Sequence, residues 1–227
     1  VLVCRYNWRI NKRKGEIMKN KKRLIVLSIV VAIIVVTIGV VMVVMPKIQL
    51  NKAVSYLKDG EYETAYSYIN SKNNEENKVI VKELITTIFC DRASSGIEKV
   101  GKIANQCTNV VQKVNRNNID YTLDDSINID VQALDAYISL EDEISKDMIS
   151  TELQESYTTY FNILKYVKEN FYNVLEHIND ENFISDVSNL STDMNKIANA
   201  CFSYSDNHKF KSKTKDIYND IKGYIVK

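Results

Sequence analysis

"LIVLSIVVAIIVVTIGVVMVVM", residues 24–45, runs from end to end without a charged side chain. At the helical rise such a run spans roughly 33 Å, against a hydrocarbon core of about 30 Å, so one slightly tilted helix would cross a bilayer. Lys19, Lys21, Lys22 and Arg23 crowd its near side, while only Lys47 and Lys52 lie close beyond it. Basic flanks stay in the cytoplasm, which predicts a cytoplasmic N-terminus and an extracytoplasmic segment from 46 to 227. A cleaved signal peptide is the competing reading. Its apolar region is usually only about 7–15 residues long. Cleavage near Thr37-Ile38-Gly39 would leave Val40 to Met45 as a bare apolar terminus, and no cysteine follows to form a lipoprotein site. A retained anchor over 24–45 is therefore expected. Buried helices of soluble proteins are rarely charge-free over such a length.

Residues 1–17 carry Cys4, Trp8 and scattered basic groups without periodicity. Lys14-Gly15-Glu16-Ile17-Met18 can be encoded as AAAGGAGAAATTATG, a purine-rich ribosome-binding sequence just ahead of a start codon. The expectation is that translation starts at Met18, with 1–17 untranslated. The alternative is a short disordered cytoplasmic tail over 1–23.

The net charge of +1 conceals an asymmetry: over 1–46 Lys and Arg far outnumber the single acid, Glu16, whereas over 47–227 acids outnumber bases. The body is acidic, which argues against nucleic acid as a partner, since phosphate binding needs clustered cations. Asn, Ile and Lys are strongly over-represented, a bias that suggests an AT-rich bacterial genome. Pro46 is the single proline. Such scarcity of breakers favours long helices.

Beyond the anchor the apolar spacing predicts an all-α body of six to eight helices. One is expected over about 47–59, stopped by Gly60, and a short second helix carries Tyr62, Ala65, Tyr66 and Ile69. "AVSYLKDGEYETAYSYI", residues 53–69, resembles the middle of a tetratricopeptide repeat. Ala53, Tyr56, Gly60, Tyr62, Ala65 and Ile69 match its small, aromatic, glycine, aromatic, small and large positions in register. The chain departs from that motif at Gln49, Lys52 and Asn77, and no second copy follows at about 34 residues. The resemblance implies one repeat-like hairpin within a different helical fold.

Further helices are expected over about 74–92, ending before Ser94-Ser95-Gly96, and over 97–114, where Ile97, Val100, Ala104, Cys107, Val111 and Val114 recur at helical spacing. The pattern dissolves in "NRNNIDYTLDDSINID", residues 115–130. A helical subdomain over 46–118, an acidic linker over 119–130 and a helical bundle over 131–227 are expected. The second part would hold helices near 131–144, 146–178, 183–202 and 216–226.

Chemistry is sparse. His177 and Glu181 could supply two metal ligands, but a site needs three or four and no CxxC or HExxH motif accompanies them. Cys201 and His208 lie too far apart along one helix, at about 10 Å, for a nucleophile and its base. No GxSxG, P-loop or Rossmann fingerprint is present, so no catalytic, cofactor or metal site is assigned and an enzyme is not expected. Cys90 and Cys107, taken on antiparallel helices joined near Ser95, would differ in level by roughly 10 Å and stay thiols. Asp120 to Glu155 is rich in acids with Lys146 its one base, and lacks the glycine and spacing of a calcium loop. Lys209, Lys211, Lys213 and Lys215 form a cationic patch that would suit an anionic partner. Tyr157, Tyr160, Tyr166 and Tyr172 fall on one predicted helix, as core or as a groove for a peptide or glycan. The function expected is a single-pass helical scaffold or protein-interaction module on the outer face of a bacterial cell membrane. The alternative is a ligand-sensing or cell-wall-polymer-binding ectodomain.

Overall fold

The computed structural model describes residues 27–114, 121–177, 181–207 and 212–225. The tail at 1–23, the start at Met18, His208, Lys209 and Lys211 lie outside the described residues, as do the side chains of His177, Glu181 and Lys213. Among the described residues every regular element is a helix. The chain divides into two compact units, Val1–Gln49 and Leu50–Lys227.

In the first unit α1 covers residues 27–39, a widened π-turn follows at Val40–Val44, and α2, Met45–Lys58, begins. The π-turn lies just ahead of Pro46, which has no N–H and whose ring crowds the turn before it. Among the described residues one helix, Leu27–Lys58, is long and apolar enough to cross a membrane. From Leu27 to Met45 its aliphatic side chains are bare: Leu27 is 63 % exposed, Val36 65 % and Met42 74 %.

In the second unit the remainder of α2 turns into α3, Tyr62–Asn70, through Gly60 at φ 78°. That left-handed conformation is one glycine adopts without steric cost. Ala53, Leu57, Tyr62, Ala65 and Ile69 are buried, and Tyr56 meets Tyr68 edge-on at 5.8 Å.

The spine is α4, Glu75–Val114, 40 residues long. Asn74 caps it, its Oδ1 accepting the Asn77 N–H at 2.9 Å, and Glu75 and Glu76 complement the helix dipole. The break expected at Ser94-Ser95-Gly96 is absent. Ser94 folds its hydroxyl back onto the Cys90 carbonyl at 2.8 Å, and the missing Gly96 side chain leaves room for Tyr160. Cys90 and Cys107 consequently share one helix, about 25 Å apart along its axis.

Around α4 pack α3; α5, Tyr121–Gln132; α10, Glu181–Asn207; and α11, Ser212–Ile225, while α8, Gln154–Asn170, packs on α10 and α4. Where the sequence suggests a linker over 119–130, α5 sends Ile127 into the core, and it continues through buried Val131, where the next helix is expected to begin. One apolar cluster runs from Leu50 to Ile221, drawing on residues either side of 115–130.

Short turns α6, Asp135–Ile138, and α7, Leu140–Glu143, lead to two 3₁₀ turns at Lys146–Met148 and Thr151–Leu153. The helix expected from Lys146 therefore starts only at Gln154, because side chains take over the loop's backbone groups. Tyr157 Oη donates to the Ile144 carbonyl at 2.6 Å, Gln154 Nε2 to those of Lys146 and Ile149 at 3.2 Å, and the Ser150 N–H to Thr86 Oγ1 at 3.0 Å. The same helix ends early, at Asn170, and a turn through Asn173 at φ 55° leads to α9, Val174–His177.

Candidate functional site

Along the seam where α4 and α10 pack lies a cavity of about 740 Å³. Ala104 and Met194 are buried at its floor, flanked by half-buried Ile97, Gly101, Val111 and Val187. Its rim is exposed and polar: Asn105 and Thr108 from α4, Ser188, Ser191, Thr192 and Asn195 from α10. Gly101, Ala104 and Thr108 are three and four residues apart, as are Ser188, Ser191, Thr192 and Asn195 on the facing helix, so each row of small side chains follows one helix face.

The chemistry of this groove is specific in kind. None of its lining residues is charged or aromatic. It offers neutral hydroxyls and amides over an aliphatic floor, with a Cβ-free strip at Gly101, where an added methyl would meet open space. Its volume lies in the range of small-ligand pockets, about 300–1,000 Å³. It also matches somewhat under two turns of a helix about 10 Å across. Sequence reasoning missed it because apolar spacing marks Ile97, Ala104 and Val111 on one helix and Val187 and Met194 on another without showing that the two face each other, and the polar rim carries no such signal. Two rows of small residues at helical spacing were the available sign.

A second cavity, about 470 Å³, opens further along the seam, lined by Cys90, Asp91 and Ser94 of α4 and by Asn199, Cys201 and Phe202 among others of α10. Cys90 and Cys201 both line it, near enough for each thiol to influence the other's ionisation. The neighbouring Cys201 thiol, reinforced by burial, pushes the Cys90 thiol well above its ordinary value. Cys90, Cys107 and Cys201 are buried and outside any disulfide.

The four tyrosines do not make one surface. Tyr157 and Tyr160 are 5 % and 1 % exposed and pack with Phe89 and Phe161 at ring separations of 4.7–5.8 Å. Burial, with the charges of Glu141, Asp142 and Asp147, pushes the Tyr157 phenol up to about 12, keeping it a neutral donor. Tyr166 is half-buried and donates to Asp186, beside a shallow cavity of about 300 Å³. Tyr172 is 43 % exposed on the turn after α8.

Of the lysine patch only Lys215 has a described side chain, and it is exposed on α11. That helix is tied to α4 through acids: Thr214 Oγ1 donates to Glu83 at 3.1 Å, Tyr218 Oη donates to Asp91, and Lys222 lies 3.5 Å from Asp91. Asp130 of α5 is held between Lys99 at 2.6 Å and Lys102 at 2.8 Å. Burial raises its pKa, but the two lysine hydrogen bonds and charges outweigh that and hold it below the usual carboxylate range. Among the described residues no three His, Cys, Asp or Glu are gathered as metal ligands.

Comparison of the chain with family models, with curated proteins and with solved structures gives no match.

Proposed function

We propose that the chain is a single-pass membrane protein, N-terminus in the cytoplasm, whose helical body works on the outer face of a bacterial membrane as a protein-interaction module. The observation that carries this reading is the helix Leu27–Lys58, long and apolar enough to cross a bilayer, whose apolar side chains from Leu27 to Met45 are left to solvent. Bare aliphatic surface on that scale is unfavourable in water and is what a bilayer covers. The cations just before it, Lys19, Lys21, Lys22 and Arg23, set the orientation.

Within the body, the seam groove is the docking site, and its occupant is a helical segment of a partner protein with a small, uncharged face. Glycine and alanine on the floor allow close backbone approach, and the neutral rim offers hydrogen bonds without selecting for charge. A wall glycan would be served by a ring to stack on, and this lining has none. The hairpin around Gly60 stays a tetratricopeptide-like element within the scaffold.

The test is a photoreactive benzoylphenylalanine at Ser191, irradiated in growing cells. One discrete protein adduct is expected, and it should be lost when Gly101→Leu fills the groove, a change the open space at Gly101 admits. An adduct that persists with Gly101→Leu, or none at Ser191, would exclude the groove. An adduct with a second copy of the chain would replace the partner by self-association.

A further inference from the structure

Cys90 and Cys201 stand on different helices, α4 and α10, far apart in sequence, yet these helices pack together and both cysteines line one cavity between them. Both are 3 % exposed, while Cys107 lies elsewhere on α4 and does not line that cavity. Two thiols on facing walls of one cavity need only close to the S–S bond length of about 2.05 Å to be joined. Two thiols, with no third His, Cys, Asp or Glu gathered on them among the described residues, make a redox couple and fall short of a metal site.

We infer that Cys90 and Cys201 are a disulfide-forming pair that clasps α4 to α10 at one end of the groove. In the cell this rests on the outward placement proposed above, since disulfides persist in oxidising compartments. The oxidant is an external disulfide, R–S–S–R. Cys201, which neighbours exposed Phe202 at the cavity's edge, gives its proton to solvent, and its thiolate attacks one oxidant sulfur. The oxidant's S–S bond breaks, releasing one R–S⁻ and leaving a mixed disulfide. Cys90 then loses its proton and its sulfur attacks the Cys201 sulfur, expelling the second R–S⁻. The chain gives up two electrons and two protons, and the oxidant leaves as two thiols. The cavity beside the pair, about 470 Å³ with exposed Phe202 at its edge, gives an oxidant's sulfur its approach.

The pair also connects to the groove. Both lie on the α4–α10 seam, with Cys90 two helical turns before Ile97 and Cys201 under two turns after Asn195. Closing the bond fixes the spacing of the two helices at one end, which pre-organises the groove for its occupant.

The experiment equilibrates the full chain in detergent micelles with excess oxidised glutathione, then denatures it in a maleimide-polyethylene glycol reagent. Two of Cys90, Cys107 and Cys201 should escape alkylation, and peptide mass mapping should place the bond between Cys90 and Cys201. Cys90→Ser and Cys201→Ser should each abolish it, whereas Cys107→Ser should keep it. Alkylation of all three, or a bond involving Cys107, would overturn the pairing. Trapping the thiols with the same reagent in living cells separates the two levels. A pair that closes in micelles yet is fully reduced in cells would overturn the outward placement while leaving the pair intact.

Discussion

Gly96 shows why a residue that looks like punctuation can be packing. A glycine behind two serines suggests a helix end, yet α4 passes straight through it. A Cβ built there would sit 2.1 Å from Tyr160 Oη. Tyr160 cannot swing aside, since its ring is pinned edge-on by Phe89 at 5.8 Å and Phe161 at 5.0 Å. Gly96→Ala should therefore destabilise the fold despite its better helix propensity: overpacking costs about 1–3 kcal/mol, and the propensity gain of about 1 kcal/mol offsets only part. Tyr160 Oη is buried with no hydrogen-bond partner among the described residues. Tyr160→Phe alone should be near neutral, because deleting an unsatisfied hydroxyl removes a penalty. Combined with Gly96→Ala it should recover most of the loss in urea denaturation. Equal loss in single and double variants would mean the contact is not what requires glycine.

At the scale of elements, helix type was legible and helix ends were not. The apolar spacings over 74–92 and 97–114 are real, and both belong to α4 because nothing interrupts the backbone between them. The early end of α8 depends on a partner far away in sequence: Asn128 of α5 accepts the Asn173 N–H at 2.8 Å and donates to its side chain at 3.2 Å, supporting the left-handed turn. No local window contains both residues. The same holds for the first part of α5, where acids mask Ile127 and suggest a linker up to Asp130. Its Asp130 is the most consequential of these, with a side chain only 8 % exposed between two lysines of α4. Because its folded pKa is lowered, its contribution is fully present above the ordinary aspartate value and is lost as pH falls through the lowered folded one. Asp130→Asn should cost about 1–2 kcal/mol at neutral pH, since Lys102 is largely solvated, and should flatten the acid limb of the stability profile. An unchanged acid limb in the variant would assign that limb to other carboxylates.

For the molecule as a whole, the apolar run was legible because unbroken hydrophobicity from Leu24 to Met45 needs no tertiary context. The groove was not, since a concave site made of Ser, Thr, Asn, Gly and Ala carries no composition signal until α4 and α10 are placed side by side. The tyrosines of α8 illustrate the converse: periodicity put Tyr157 and Tyr160 on one face, and only packing shows that face turned inward. What the module touches follows from where it stands, so the orientation of the chain in the membrane is the claim on which the rest depends. The most direct test is protease accessibility on wall-stripped intact cells carrying a C-terminal epitope, with alkaline carbonate extraction of the same membranes. The expected result is a chain that stays in the carbonate-resistant pellet and loses its epitope to external protease while the cells remain intact. An epitope protected until the membrane is breached, or a chain released into the soluble fraction, would contradict it.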